Sequence, residues 1–198
     1  MDFSIPCSPF RFNVHGIVFD ITNNKLIFMD MVIECICPKG GRMKIIDKVG
    51  AFIIRQRSGT HAELLLFTHV DHPDAPIQIP GGTIEAGEVP AAAAVRELFE
   101  ESGAASLPLI RELGVSEVPS IAIPGTVLRR HCYLFDGISL PESWIHTVTG
   151  EGEDQALRFE YRWYSIGRDF SLCGDLGYFL NAEAIPELYE RRSIVVMA

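Results

Sequence analysis

A chain of 198 residues, 47 % hydrophobic and 22 % charged, has the composition of an ordinary globular protein, which excludes wholesale disorder and collagenous or fibrous classes. Its length suits one well-buried domain with additions. A formal net charge of −9 and a pI near 5.1 argue against DNA or an anionic membrane surface as the main partner, because the surplus positive charge that such polyanions attract is missing.

The five cysteines, Cys7, Cys35, Cys37, Cys132 and Cys173, are odd in number and scattered. They give no disulfide framework and lead us to expect a reducing, cytoplasmic setting. Asp2 stands where a secretory leader would carry basic residues, and no window reaches the uninterrupted apolar length of a membrane span.

In chain order, residues 1–42 stand apart. Phe10 to Asp20 and Lys25 to Cys37 are strand-like, with a hairpin turn expected at Asn23-Asn24 and a break at Pro38 to Gly41. Three uses remain open for this stretch: a hairpin capping a sheet edge, part of a homodimer surface, or residues upstream of a natural start at Met43. Cys35 and Cys37 hint at a soft-metal site, but no second Cys or His pair follows at zinc spacing, so two strand residues on one face are preferred.

Val49 to Arg57 and Glu63 to Thr68 read as buried strands joined by a turn at Ser58-Gly59. Arg55 and Arg57 alternate onto one face, where substrate phosphate contact competes with a solvated strand end. His69 and His72 sit in a polar loop with Pro73; substrate contact or solvent exposure is preferred there over metal binding. Ile77 to Ile79 forms a short strand leading to Pro80-Gly81-Gly82, a tight turn whose backbone can approach a ligand closely.

Residues 82 to 104 are a loop feeding a carboxylate-rich helix. Val89 and Pro90 open it, because proline at the first helical position sacrifices no needed donor, and Gly103 closes it. At 3.6 residues per turn, Ala91, Val95, Leu98, Phe99 and Ser102 are expected on the core side, with Glu97, Glu100 and Glu101 opposite. Three carboxylates on one turn repel each other, so a cation is expected among them. Oxygen donors of this type suit a hard divalent ion, Mg²⁺ or Mn²⁺, instead of a soft one. Arg96 lies beside Glu97 and can hold its rotamer, and Glu88 is favoured by the positive end of the helix dipole. The competing reading is a solvated Glu-rich face.

After Gly103, Leu109 to Val118 and Thr126 to Phe135 alternate as strands. Arg129, Arg130 and His131 form a small basic cluster, read either as a phosphate or base contact or as charge balance on a strand surface. Pro141 to Thr149 is ambiguous, and residues 150–154 make an acidic, glycine-containing loop. Leu157 to Tyr164 alternates, with Phe159, Tyr161 and Trp163 on one side. A short helix is expected across Ala184 to Arg192, packed through Ile185, Leu188 and Tyr189.

Gly82, Glu88, Arg96, Glu97, Leu98, Glu100, Glu101 and Gly103 fall on the pattern G-x5-E-x7-R-E-U-x-E-E-x-G-U, so this stretch resembles the Nudix box. With each fixed residue type used at about 7 %, seven such matches arise by chance on the order of once in 10⁸ windows. Ala104 departs from the larger aliphatic residue the family prefers, at a position that packs without reacting. A looser resemblance runs from about Met43 to Gly167.

The resemblance implies an α/β fold, a Nudix-type α/β/α sandwich around a mixed sheet, spanning residues 43–198 behind an N-terminal strand-rich extension. It implies metal-dependent hydrolysis of a phosphoanhydride bond in a nucleoside diphosphate linked to another moiety, with Mg²⁺ or Mn²⁺ as cofactor and a nucleotide-type small molecule as partner. Glu97, Glu100, Glu101 and the Gly82 carbonyl are the expected metal ligands. Glu97 with Arg96, or a loop carboxylate, serves as base, with Glu153 preferred over Glu151 and Glu160. Arg55, Arg57 and Arg130 are the candidate substrate contacts, and Glu88, Gly81 and Gly103 have supporting roles. The alternative is a non-catalytic module that senses a nucleotide.

Overall fold

A computed structural model of the chain describes residues 11–20, 25–34, 43–57, 61–120, 123–152, 154–167 and 169–190, the first two stretches as strand backbone. The chain divides into two compact units, residues 1–46 with 117–128, and residues 47–116 with 129–198. In the first unit β1 (Arg11–Asp20) and β2 (Lys25–Glu34) pair antiparallel, from Arg11 opposite Glu34 to Asp20 opposite Lys25. This is the hairpin expected from the sequence. The turn at Asn23-Asn24, the Cys35 and Cys37 pair and the break at 38–41 lie outside the described residues.

A mixed six-stranded sheet is built from β3 (Lys44–Arg55), β4 (Glu63–His69), β5 (Leu109–Pro119), β6 (Thr126–Asp136), β7 (Ser143–Thr147) and β8 (Arg158–Ser165), in the order β5-β6-β3-β4-β8-β7. The stretch left ambiguous in sequence is thus the edge strand β7. The expected turn at Ser58-Gly59 lies outside the described residues.

Successive side chains of the central strands point to opposite faces, and both faces are covered. Val49, Ala51 and Ile53 of β3 join Leu65 and Phe67 of β4 and Phe159 and Tyr161 of β8 in one core. Phe52, Ile54, Leu64, Leu66 and Leu134 form a second core on the other face. The first core is roofed by the helix α1 (Pro90–Ser102), which supplies Ala93, Ala94 and Leu98.

The second core is roofed by the C-terminal segment, which brings Leu172, Leu180, Ile185 and Leu188. Here the structure corrects the sequence: of the helix expected over 184–192, the described part, 184–190, holds a single 3₁₀ turn at Pro186–Leu188, preceded by another at Gly174–Gly177. The Glu187 carbonyl accepts the Ala62 amide at 3.0 Å and the Ala184 carbonyl accepts the Arg111 guanidinium at 2.9 Å, so two acceptors of the expected helix are engaged elsewhere. The residues chosen for packing, Ile185 and Leu188, are nonetheless buried.

β3 and β4 pair at Ile54 with Leu64 and at Arg55 with Glu63. Further along, the segment 78–84 is bound to both strands. Phe67 and Gln78 exchange backbone hydrogen bonds of 2.9 and 3.1 Å, and β3 then takes over, with Ala51 N–H donating to Pro80 O at 2.8 Å and Val49 N–H to Gly82 O at 2.9 Å. Ile84 N–H returns a bond to Asp47 O at 3.0 Å. The approach is so close at Gly81 that a Cβ there would stand 2.3 Å from the Val49 carbonyl oxygen, which only glycine avoids.

The helix starts and stops as its sequence dictates. Pro90 occupies the first turn, and Gly103 at φ +72° donates to Phe99 O at 2.8 Å. Its rotation about its own axis differs from expectation. Ala94, Leu98, Glu101 and Ser102 are buried, while Val95 and Phe99 are 44 % and 52 % exposed. Counting roughly 100° per residue from Ala91, the buried arc centres near 300°, with Glu101 inside it, and not near the 40° that a purely apolar face would choose. The physical reason is the polar backbone of the glycine turn beneath the helix, which offers an amide to a carboxylate. Among the described residues no helix is long and apolar enough to cross a membrane.

Two substitutions test the layering. Ile185→Ala is expected to lower the unfolding free energy by about 2–5 kcal/mol, as for other truncations of fully buried aliphatic residues. Phe99→Ala, on the outward face of α1, is expected to change it by about 0.5 kcal/mol or less; urea denaturation measures both.

Candidate active site

The acidic residues of α1 divide into two groups with different solutions to their charge. Arg96 sits at the centre of the first. Its Nε donates to Glu88 Oε1 and its Nη2 to Glu88 Oε2, both at 2.9 Å, a two-pronged pairing that fixes the plane of the guanidinium. Nη1 then reaches Glu97 at 3.0 Å and Glu100 at 3.2 Å, and Nη2 also donates to the Thr83 carbonyl at 3.0 Å. An arginine of α1 therefore supplies one positive charge among these three carboxylates, of which Glu88 precedes the helix.

These contacts set the proton affinities. The Arg96 hydrogen bonds hold Glu88 below the usual carboxylate range. Burial pushes Glu97 above that range, with the Glu100 charge adding to the effect and Arg96 and Lys48 opposing it. Arg96 itself is held further toward its charged form, chiefly by Glu88. Lys48 was not singled out in sequence; it faces this group because it bridges to Thr83 across the segment bound to β3.

Glu101 forms the second group alone. It is 5 % exposed, and Oε2 accepts the Gly81 amide at 2.9 Å. Among the described residues no arginine or lysine forms an ion pair with it. Burial pushes its carboxyl up to about 8, against the Gly81 hydrogen bond and the Arg130 charge, and with the Glu97 and Asp154 charges adding to the rise. An acid held this way is a proton-bearing group near neutrality, or a ligand awaiting a cation.

Gly82 lies directly under Glu97: a Cβ on it would fall 2.2 Å from the Glu97 carboxyl carbon. Gly150 lies as closely against Glu100, where a Cβ would stand 2.5 Å from Oε2. The two glycines, one from the turn and one from the loop after β7, give the carboxylates their room. The Gly82 carbonyl already accepts the Val49 amide, which leaves one lone pair.

The last turn of α1 has its carbonyls occupied by the β7 and β8 edge. Tyr161 O–H donates to Glu101 O at 3.0 Å, and Trp144 Nε1–H to Ser102 O at 2.8 Å. Glu100 O accepts the Thr149 amide at 3.1 Å and His146 Nε2 at 3.1 Å. Gly103, beyond them, is kept free of a side chain by the His146 ring, 2.9 Å from where its Cβ would be.

Of the arginines read as substrate contacts, Arg130 lies nearest. Its Nη1 donates to the Val49 carbonyl at 2.9 Å and its Nε to Asp175 at 2.7 Å, so it is 8 % exposed and pinned beneath the glycine turn. Arg55 closes β3, about 20 Å along the strand from Val49 at 3.3 Å per residue, and Arg57 lies just beyond the strand's end. There both pair with Glu142, and Arg55 also pairs with Glu63 at 2.8 Å and lies over the Trp163 ring at 4.3 Å. Glu153 lies outside the described residues. Glu160 pairs with Arg162 at 2.6 Å, and Glu151 is exposed. The loop carboxylate whose charge reaches Glu101 is Asp154, which the sequence reading passed over; its charge also reaches His69.

Among the described residues no three His, Cys, Asp or Glu side chains converge as a ready-made metal cage. Mg²⁺ does not require one, since it retains waters and binds through one or two carboxylates together with substrate phosphates. A buried carboxylate without an ion-pair partner, beside the half-buried carboxylate of Glu97 and a carbonyl with a free lone pair, is a hard-oxygen donor set that fits such an ion.

The NUDIX domain matches residues 45–167, more than half of the chain. Among curated proteins none matches it in sequence. Solved structures, the following three among them, resemble it at low identity. A candidate NUDIX hydrolase of Listeria monocytogenes is 19 % identical, with a TM-score of 0.44 over 59 % of this chain and 75 % of that one. The MutT protein of Methanosarcina mazei is 19 % identical, with a TM-score of 0.40 over 61 % and 77 %. The Ap4A hydrolase of C. elegans is 18 % identical, with a TM-score of 0.39 over 60 % and 79 %. The assignment rests on the domain match, which includes the glycine turn, the whole of α1 and the β7 and β8 edge that holds it: the chain belongs to the Nudix hydrolase family.

Proposed function

We propose that this protein is a divalent-metal-dependent pyrophosphohydrolase acting on a nucleoside diphosphate linked to another moiety. The observation that carries the reading is Glu101, a buried carboxylate aimed at the Gly81 amide, with no ion-pair partner among the described residues and with Glu97 beside it. We place the hydrolase domain at residues 43–198 and treat 1–42 as an extension.

Glu97, Glu100, Glu101 and the Gly82 carbonyl are the residues that would hold the ion. When bound, Mg²⁺ or Mn²⁺ supplies charge neutralisation of the diphosphate and a more acidic water. The protein contributes the rest. Arg96 holds Glu97 and Glu100 in fixed rotamers, and Glu88 fixes Arg96. Glu97, or a carboxylate of the 151–160 region, takes the proton from the attacking water. The substrate is a nucleotide-type small molecule, for which an acidic protein needs a cation between its carboxylates and the phosphates.

One observation favours a second reading, a module that binds a nucleotide without cleaving it: Arg96 pairs with Glu88, Glu97 and Glu100 and holds them in place without any metal. Product release from a panel of nucleoside diphosphate derivatives with Mg²⁺ or Mn²⁺ distinguishes the two. Turnover supports the enzyme; a ligand-induced thermal shift without product supports the sensor.

Glu101→Gln is expected to keep the fold and to lower metal-dependent turnover by about a hundredfold or more, with steady-state kinetics as the measurement. Arg96→Ala, which frees three carboxylates at once, is expected to lower kcat/KM by about 10–100-fold.

The raised proton affinity of Glu101 has a sign that calorimetry can check. The unfolded carboxyl ionises near 4.5 and the folded one near 8, so between these values the folded state binds more protons. Metal-free protein therefore loses this contribution to stability as pH rises from about 4.5 to about 8. In Glu101→Gln that slope is expected to vanish, leaving the inactive variant more stable than the wild type at pH 8 without metal.

A further inference from the structure

We propose that Tyr161 and Trp144 are positioning residues that set the depth of the Glu101 carboxylate by gripping the carbonyls of the last turn of α1. The proposal rests on the hydrolase reading for its catalytic consequence, but its geometry stands independently.

The last four carbonyls of a helix have no partners within it, and a helix end that must hold a catalytic group in register needs them tied down. Gly103 N–H takes the Phe99 carbonyl within the cap. The remaining three are taken from outside: Glu100 O by Thr149 and His146, Glu101 O by Tyr161, and Ser102 O by Trp144. Tyr161 and Trp144 stack on each other at 4.8 Å with their planes 13° apart, so the two donors form one rigid unit. That unit is seated in the sheet, because Trp144 of β7 pairs directly with Tyr161 of β8, and Tyr161 is fully buried.

The consequence is geometric. Glu101 is fixed at both ends: its main-chain carbonyl by the Tyr161 hydroxyl on the β8 side, and its carboxylate by the Gly81 amide on the β3 side. The residue thus bridges the β8 strand and the segment bound to β3. Releasing the carbonyl end lets the last turn ride outward, and the carboxylate then leaves Gly81.

The test compares Tyr161→Phe and Trp144→Phe with Ile185→Val, a control on the opposite face of the sheet. The first readout is hydrogen exchange of the Gly81 amide in protein without metal or substrate. Loss of its carboxylate acceptor is expected to speed exchange about tenfold in Tyr161→Phe, less in Trp144→Phe, and not at all in the control. The second readout is Mn²⁺ binding by electron paramagnetic resonance, expected to weaken by about fivefold in Tyr161→Phe. The third is steady-state kinetics, where kcat should fall about tenfold with KM little changed, as for a displaced catalytic group.

Wild-type protection of the Gly81 amide in Tyr161→Phe would overturn the proposal, as would equal loosening in an Ile185→Val protein of matching melting temperature. Should Tyr161→Phe fail to fold, Trp144→Phe decides: an unmoved Gly81 amide overturns the proposal and a faster one supports it. A wild type that neither binds Mn²⁺ nor hydrolyses any nucleotide would sink the hydrolase reading instead, while the amide comparison would still decide the positioning.

Discussion

The hydrogen bond from the Gly81 amide to the Glu101 carboxylate ties together the two parts of the molecule that matter most to its chemistry. It joins a helix of one layer to a backbone segment lodged in the sheet beneath it. An ionised carboxylate in such a place costs several kcal/mol of lost hydration, and one amide donor recovers only part of that. The surrounding fold holds the arrangement in place. β3 and β4 part to admit the segment 78–84, Gly81 allows backbone to approach backbone, and the helix is rotated so that Glu101 goes inward beside Leu98 while Val95 and Phe99 face out.

The Arg96 group shows the opposite economy. Its carboxylates are partly exposed and meet a cation supplied by α1, so their mutual repulsion is reduced locally. Two neighbouring sets of acids on one helix thus differ in kind. One is held rigid by an arginine that offsets part of its charge, and the other has no ion-pair partner among the described residues.

How much of this was legible in the sequence differs by residue. The helix ends were, because Pro90 and Gly103 act through local backbone geometry that needs no tertiary information. The buried strands and the face shared by Phe159 and Tyr161 were, because alternation records burial directly. The rotation of α1 was not. Periodicity alone places Val95 and Phe99 inward, and only the amide offered by Gly81, 20 residues upstream, explains why Glu101 is inside instead. Asp154 escaped because nothing local separates it from its acidic neighbours in the loop; its influence comes from the folded path of that loop. The helix expected over 184–192 failed for a related reason, since the carbonyls it needed are claimed by Ala62 and Arg111, both distant in sequence.

The rear of the sheet is closed by a segment with little regular structure, and one of its attachments is Arg130, which grips Asp175 on that segment with one nitrogen and the Val49 carbonyl with another. Val49 in turn donates its amide to Gly82. A tether therefore passes through the thickness of the sheet, from the C-terminal wrapping to the acid centre on the far side. Whatever peels that wrapping away would slacken the floor on which the carboxylates stand without touching any of them.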